Sequence, residues 1–532
     1  MANSSLFSAS SNFTLNSSSN SANTALTFNE AGGTAYHFSP RHALAQYAMT
    51  GCLNQTFYAA AEDQLSHVLA LASHADIDDG FLAKTAVYAR KRGMMKDMPA
   101  LLCAVLAARK SPLLETVFLN VIDNVKMLRN FVQIVRSGVT GRRSFGSSVR
   151  RLIRKWLEQR TDEQLFKASI GNDPSLADII KMVHPRPCSP EREAMYRYLL
   201  GMETDMALLP ETVRQFESLK AGETSEVPDI PFQFLTSLEL TAEQWIQIAR
   251  NASWQTTRMN LNTFARHGVF GSCGSGEQPI SEIIAERLRE RSDIFRARVL
   301  PYQLMAAYLN CGKSVPSAVR DALQDALEIA TENVPTLEGR VAVCVDVSGS
   351  MSSPVSGWRR GSASKVRCVD VAALMASCIL RNNPEAVIVP FECEVRSLLL
   401  DPRDTVLTNA EKLAELYGGG TNCSSALQYL LDEKVYPDVV IFVSDNESWM
   451  DSGDDLAGKT ETLRLWDELK KKNPSAKLVN IDIQPYGTTQ TMDREDVANV
   501  GGFSDAVFDF VANFVSASSA EHWVEVIEKT VL

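Results

Sequence analysis

No two cysteines in this chain stand in a C-x-x-C spacing. The ten, Cys52, Cys103, Cys188, Cys273, Cys311, Cys344, Cys368, Cys378, Cys393 and Cys423, are scattered singly, which disfavours zinc ribbons and thioredoxin-like redox motifs. Several fall in apolar patterns, where a thiol acts as a small hydrophobe, and their lack of pairing suggests a reducing compartment. No apolar run approaches the ~18 residues of a membrane span. The first 24 residues hold nine Ser and five Asn and neither Lys nor Arg. The basic start and apolar core of a secretory signal are therefore missing. The segment 1–27 reads as a flexible tail, and a cytoplasmic location is expected. The seven histidines (37, 42, 67, 74, 184, 267 and 522) show no metal-ligand spacing. No G-x-S-x-G nucleophile elbow is present. A D-x-D phosphatase would need an acid where Ser348 stands.

What is present is ordinary globular material: 532 residues, 45% hydrophobic and 22% charged, mass enough for three or four domains at ~150 residues each. The net charge of −11 hides an asymmetry. From Val341 onward there are 17 basic and 29 acidic residues, against 36 and 35 before it. Within the first part, Lys126 to Arg160 carries ten basic residues and one acid, Glu158. Such a block points to an anionic partner.

Two regimes divide the chain. From about Arg41 to Thr331 helical spacing recurs, as in Leu65, Val68, Leu69 and Ala72, in Leu113, Val117, Val121, Val125 and Leu128, and in Val149, Leu152, Ile153, Trp156 and Leu157. Short breaks at Gly80, Gly93, Ser111-Pro112 and Gly138 separate these runs, as in stacked helical hairpins. After Val334-Pro335 strands alternate with helices: Arg340–Asp346, Ala386–Phe391, Val439–Val443 and Leu478–Ile483 as strands, Val366–Arg381, Ser424–Leu431 and Leu463–Lys472 as helices, with helical patterns to Leu532. That alternation predicts a mostly parallel sheet covered on both faces. The division is drawn as tail 1–27, helical module 28–335 and α/β module 336–532.

The α/β module carries the clearest chemistry. Asp346-Val-Ser348-Gly-Ser350 follows its first strand directly, and ligands of such sheets bind beyond the carboxyl ends of strands. One carboxylate and two hydroxyls turn toward a common point. Thr421 follows the run Gly418-Gly-Gly420, and Asp445 ends the strand 439–443. Few charges and mostly neutral oxygens suit an octahedral ion that keeps some water, so Mg²⁺ is favoured. The five oxygens in this order resemble the metal-dependent adhesion site of von Willebrand A domains.

The basic block has a geometry of its own. At 100° per residue, Val149, Leu152, Ile153, Trp156 and Leu157 share one side of a helix and Arg150, Arg151, Arg154 and Lys155 the other. Arg142 and Arg143 precede it, Lys126, Arg129 and Arg136 lie on the helix before, and Lys181, His184 and Arg186 follow. Arginine binds phosphate in a bidentate fork and stacks on bases, so the pattern reads as a nucleic-acid platform, RNA in particular. In Trp254–Thr263, with Arg258 and Asn260, polar side chains alternate with apolar ones. Lining a cavity and bracing neighbouring helices are equally open for that segment.

A helical array with a basic face ahead of a von Willebrand A-like module resembles the Ro ribonucleoprotein family, whose shared module is named for telomerase-associated, Ro and vault proteins. Gly32-Gly33 with Tyr36, Lys96-Asp97-Met98-Pro99, Ile179–Pro187, Trp254–Thr263 and Val345–Met351 carry the likeness, which spans residues 28–532 and suggests a stand-alone bacterial-type member. The resemblance implies HEAT-type repeats closing into a ring whose ends the Rossmann-like A domain joins. It also implies Y-type RNA on the outer basic surface through Arg142, Arg143, Arg150, Arg154, Lys155, Lys181 and His184. Single-stranded 3′ ends of misfolded or precursor RNAs would enter the central hole, with Arg258 and Asn260 as lining candidates. A role in RNA quality control and stress survival, a 3′ exoribonuclease as partner, and no catalysis follow from the same likeness. A monomer is expected. The segment Ser352–Ser364 has no counterpart in the family pattern. Two other readings compete: a protein-interaction module that takes a partner's carboxylate at an open metal position, and a Mg²⁺-dependent nuclease. The second lacks the clustered carboxylates of a two-metal site.

Overall fold

The chain was analysed as a computed structural model that describes residues 6–7, 26–271, 278–297, 299, 301–332, 334–358, 364–450, 459–516 and 522–532. Between Pro40 and Thr331 every described element is an α-helix or a short 3₁₀ turn. The apolar spacing is the cause. In the helix Ala61–Ala72 the buried residues are Ala61, Gln64, Leu65, Val68, Leu69 and Ala72, one face of a 3.6-residue period. The helix Asp97–Arg109 is buried from Met98 to Ala107, because the helices Asp79–Lys91, Leu114–Val121 and Val125–Ser137 pack around it. The periodic run from Leu113 to Leu128 is two helices. Ile122 leaves helical geometry, and Asn124, extended at φ −140°, accepts the Met127 N–H at 3.1 Å and caps a new helix.

The α/β module is a five-stranded sheet in the order β4-β3-β5-β6-β8, where β3 is Val341–Asp346, β4 Val387–Phe391, β5 Val439–Ser444, β6 Lys477–Asp482 and β8 Val497–Gly501. Every neighbouring pair is parallel. Alternate residues serve the two faces. Ala342, Cys344, Val440 and Phe442 pack with Leu427 and Trp466 on the helices Cys423–Asp432 and Glu461–Lys472. Val341, Val343, Ile441 and Val443 join the large core that continues into the helical array through the helix Cys368–Asn382. The strand β8 lies where helical patterns to the C-terminus were expected. Val-Ala-Asn-Val-Gly is too short and too polar at its flanks to declare itself, and its pairing with β6 decides its state.

A second small sheet joins the ends of the chain. β1 (Leu26–Phe28) pairs antiparallel with β2 (Thr34–His37), and β2 with β7 (Thr488–Thr489). Tail residues are therefore drawn into the fold: Leu26 and Thr27 are strand, and Leu6 and Phe7 are buried. The boundary at 27 was placed on Ser/Asn composition, which carries no information about long-range strand pairing. The rest of that tail, 1–5 and 8–25, lies outside the described residues.

Both ends of the helical array dock on the α/β module. The first helix, Pro40–Thr50, packs on β8 and on the helix Trp523–Glu528. The last two, Pro301–Leu309 and Ser317–Thr331, pack on the helices Cys368–Asn382 and Val406–Ala414. Ion pairs mark both junctions, Arg41 with Glu528 and Arg381 with Glu328. The path of packed elements thus closes on itself through the A-like domain, the connectivity that a ring requires.

Gly33 shows how tightly the N-terminal strands are seated. A Cβ there would stand 1.9 Å from the Ser448 carbonyl oxygen and 2.7 Å from the Trp449 Cα. Both obstacles are backbone and cannot swing away. Gly33→Ala should cost about 2 kcal/mol or more, read as a lowered unfolding midpoint together with proteolytic release of residues 26–37.

Candidate nucleic-acid interface and metal centre

The helix Gly146–Glu158 buries Val149, Leu152, Ile153, Trp156 and Leu157. Its opposite side faces outward, with Arg150 and Arg151 exposed and Arg154 and Lys155 half-buried. Beside it lies the helix Leu176–Val183, fastened by the Arg154 Nε–H, which donates to the Val183 carbonyl at 2.6 Å. His184 ends that helix in the left-handed region at φ 46°. The following Pro-Arg-Pro turn leaves Lys181, His184 and Arg186 exposed. Arg136, from the helix Val125–Ser137, reaches the Met182 Sδ at 3.7 Å, so three helices converge on one cationic face. The acids beside it are few and engaged. Asp178 closes the capping box with Ser175, and Glu115 pairs with Lys155 at 2.7 Å.

The structure sorts the cations by what they do. Arg143, Arg150, Arg151, Lys181 and Arg186 are exposed, and their charge is available to a ligand. Arg142 is turned inward: its three donors bind the carbonyls of Ser144, Ala107 and Phe145 at 2.7–2.8 Å. Gly146 permits this, since a Cβ there would lie 2.1 Å from the Arg142 Nη2. Arg129 likewise donates to the Ile170 carbonyl at 2.7 Å. These two arginines brace turns. Arg142→Ala should destabilise the fold by about 2 kcal/mol, because it leaves partly buried carbonyls without donors. A thermal melt checks this, while RNA affinity measured well below the midpoint should stay within about twofold.

Lys126 and Arg258 belong elsewhere. Lys126 approaches Lys96, whose amine is pushed below its ordinary pKa by burial first, and then by Lys126 and Arg90. Lys96 and Asp97 in turn act on the Cys52 thiol, and Cys52 and Arg258 both act on the Tyr302 hydroxyl. Residues from the first helices and from the last thus share one electrostatic neighbourhood. Arg258 donates to the Gln303 carbonyl at 2.7 Å, and its Nε–H is buried without a partner. Asn260 sits at a kink, φ −124° and ψ 15°, and donates to the Thr256 carbonyl at 2.7 Å. The segment Trp254–Thr263 therefore braces the helix Pro301–Leu309. Lys96 was not singled out as a site residue, although it stands in the quoted Lys-Asp-Met-Pro motif.

The five oxygen-bearing residues of the second site come together at the carboxyl ends of β3 and β5. Asp346, Ser348, Ser350, Thr421 and Asp445 are all buried. Asp346 Oδ1 accepts the Ser348 N–H at 2.8 Å, and Ser348 and Ser350 Oγ lie 3.3 Å apart. The loop with Thr421 is pinned across them: Gly349 N–H donates to the Gly419 carbonyl, and Trp449 and Met450 N–H to the Thr421 carbonyl. Ser444, which the spacing argument missed, donates to Asp346 Oδ2 at 2.5 Å. It directly precedes Asp445 at a strand end, so the signal was there.

This donor set fits a divalent cation. What acts on the two carboxylates is burial, neighbouring hydroxyls and each other. Burial raises Asp346 above the ordinary range, and burial followed by repulsion from Asp346 pushes Asp445 up to about 7. Two such groups in one dry site are costly unless a cation joins them. No cluster of three or more His, Cys, Asp or Glu exists among the described residues, so hydroxyls would complete the shell. All-oxygen coordination with two charges suits Mg²⁺ or Mn²⁺. In the segment Ser352–Ser364, residues 359–363 lie outside the described residues. The remainder contacts the helical module: the Asn54 Nδ2 donates to the Ser356 carbonyl at 2.7 Å.

The fold is that of a helical-array protein closed by a von Willebrand A-like domain, whose buried oxygen donors form a candidate cation site. Residues 340–515 match the family model described as the Ro60 vWA domain. The chain is 24% identical over 524 residues to the RNA-binding protein RO60 of Deinococcus radiodurans, covering 91% of this chain and 94% of that one. It is 21% identical over 458 residues to the RNA-binding protein RO60 of Caenorhabditis elegans, covering 71% and 67%. The crystal structure of the Deinococcus radiodurans RO (RSR) protein superposes with a TM-score of 0.57 at 19% identity, over 90% of this chain and 99% of that chain. The chain is thus similar along most of its length to RNA-binding RO60 proteins, shares the fold of a Ro protein, and matches the Ro60 vWA domain over residues 340–515.

Proposed function

We propose that the chain is a non-catalytic RNA-binding protein that holds a small structured RNA, of the Y type, on the face built by the helices Gly146–Glu158 and Leu176–Val183. The observation that carries this reading is the group of exposed cations Arg143, Arg150, Arg151, Lys181 and Arg186, on and beside two helices that Arg154 ties together. Duplex RNA hides its bases in a deep groove, so phosphate contacts and shape would do the recognising. The names of the relatives support an RNA ligand. Lys126 and Arg258, half-buried, with the exposed Lys96, are the reading's site for single-stranded 3′ ends of misfolded or precursor RNAs. RNA quality control, stress response and cooperation with a 3′ exoribonuclease follow from the family likeness.

The A-like domain would hold Mg²⁺ at Asp346, Ser348, Ser350, Thr421 and Asp445, where the ion supplies charge neutralisation. The nuclease reading is not favoured: the donor set holds two carboxylates, and Glu447, the next acid along, is engaged by the Ala31 N–H at 3.0 Å. A cytoplasmic location is supported by nine described cysteines without a disulfide. No helix among the described residues is long and apolar enough to cross a membrane. The test is to purify the protein from its own cells and sequence the RNA that accompanies it, then titrate that RNA at several salt concentrations. A structured small RNA bound with a steep salt dependence is expected. A particle free of RNA would overturn the proposal.

A further inference from the structure

An adhesion-type metal site on an isolated A domain is open to a partner's carboxylate. Here the helical module lies over it. Asn29 Nδ2 donates to the Ser448 carbonyl at 2.7 Å and Ala31 N–H to the Glu447 carboxylate at 3.0 Å. Gln55 and Trp358 form a bridged pair through two backbone hydrogen bonds of 3.2 and 2.7 Å. These contacts fall on the two A-domain loops that follow β3 and β5, the loops that present Ser348, Ser350 and Asp445. Between them Tyr58, from the loop that joins the helices Pro40–Thr50 and Ala61–Ala72, stands over the same edge of the sheet with its hydroxyl beside the Ser350 side chain. Its ring packs edge-on against Tyr486 at 5.8 Å between centroids, and its N–H donates to the Tyr486 hydroxyl at 3.4 Å. Both tyrosine hydroxyls lie close enough to Asp445 and Glu447 to feel their charge. The exposure of the five donor residues, none above 5%, is the measure of this cover.

We propose that Tyr58, carried by the helical module, is the occupant in cis of the position above the metal site that a partner's carboxylate would otherwise take, so that ion binding fastens the helical module to the A-like domain. The site is then an internal latch. An outside acid would have to displace Tyr58 and the 51–60 loop before it reached the ion. The hydroxyl contributes an uncharged oxygen beside Ser350, in keeping with the hard, mostly neutral donor set of the site.

The inference rests on the metal reading, and the full chain loaded with Mn²⁺ separates the two. Electron paramagnetic resonance should report one bound Mn²⁺. Acetate then serves as the probe of an open position, through paramagnetic relaxation of its methyl protons. With the native chain acetate should relax as it does with free buffer, and in Tyr58→Ala its relaxation should rise at least fivefold. Tyr58→Phe keeps the ring and its packing on Tyr486 and removes only the hydroxyl, which guards against a misfolded Ala variant. It should bind Mn²⁺ at least threefold more weakly. Hydrogen exchange gives a third view: Mg²⁺ should protect residues 51–59 along with the loops that follow β3 and β5. Strong acetate relaxation in the native chain, unchanged Mn²⁺ affinity in Tyr58→Phe, or protection confined to the A-domain loops would overturn the latch and leave the metal site standing. An absence of bound Mn²⁺ in the native chain would overturn the metal reading itself.

Discussion

Reversing Arg150, Arg151 and Lys181 to Glu together should lower the affinity for a structured RNA by roughly a hundredfold or more at ~100 mM salt, with the unfolding midpoint unchanged. The three side chains are exposed and hold nothing in the fold, so the loss should fall on binding alone. Each phosphate contact releases about one counterion, so the slope of log affinity against log salt should also flatten by about two to three. The choice of residues matters. Arg154 and Lys155 lie on the same helix face, but the first ties two helices through the Val183 carbonyl and the second pairs with Glu115. Reversing those two would mix a folding defect into the result. Filter binding across a salt series reads both quantities. An affinity within threefold of the native protein would sink the assignment of this face.

The metal site carries the second large effect. At ~100 times its dissociation constant an ion that binds only the folded state adds about 2.7 kcal/mol. For a module of this size that is a rise of roughly 5 °C in the midpoint. Asp445→Ala should abolish the rise. The same variant in chelator should be at least as stable as the native chain in chelator, because it removes one of two buried carboxylates that repel each other. The two melting curves should therefore change order when Mg²⁺ is added. Differential scanning calorimetry with and without the ion decides it. An equal Mg²⁺ response in both proteins would place the ion elsewhere.

The gathering of the five oxygen donors at one edge of the sheet was legible because the motifs that carry them are local. Asp346, Ser348 and Ser350 share one loop, and Thr421 and Asp445 mark two further loops at the same edge of the sheet. Strand ends are visible as the ends of apolar runs. The amphipathic helix at 146–158 was legible for a similar reason, since a period of 3.6 separates its buried stripe from its cations. What each cation does was not legible. Arg142 and Arg143 are neighbours in a polar turn. One is locked to three carbonyls and the other is exposed, a difference that depends on Ala107 and Phe145 lying within reach.

Local patterns set out the two modules, the basic face, the order of the oxygen donors and the family likeness, because each is assembled from short motifs, even where, as from Asp346 to Asp445, those motifs lie 99 positions apart. It takes the folded chain to show that β1 and β2 are strands and β2 pairs with β7, that Val497–Gly501 is a strand, and that the 51–60 loop meets the loop that follows β3. The β2–β7 pairing and the contact of the 51–60 loop join residues hundreds of positions apart, whereas β8 finds β6 across 19. Their energy comes from packing and from hydrogen bonds whose partners no local pattern names.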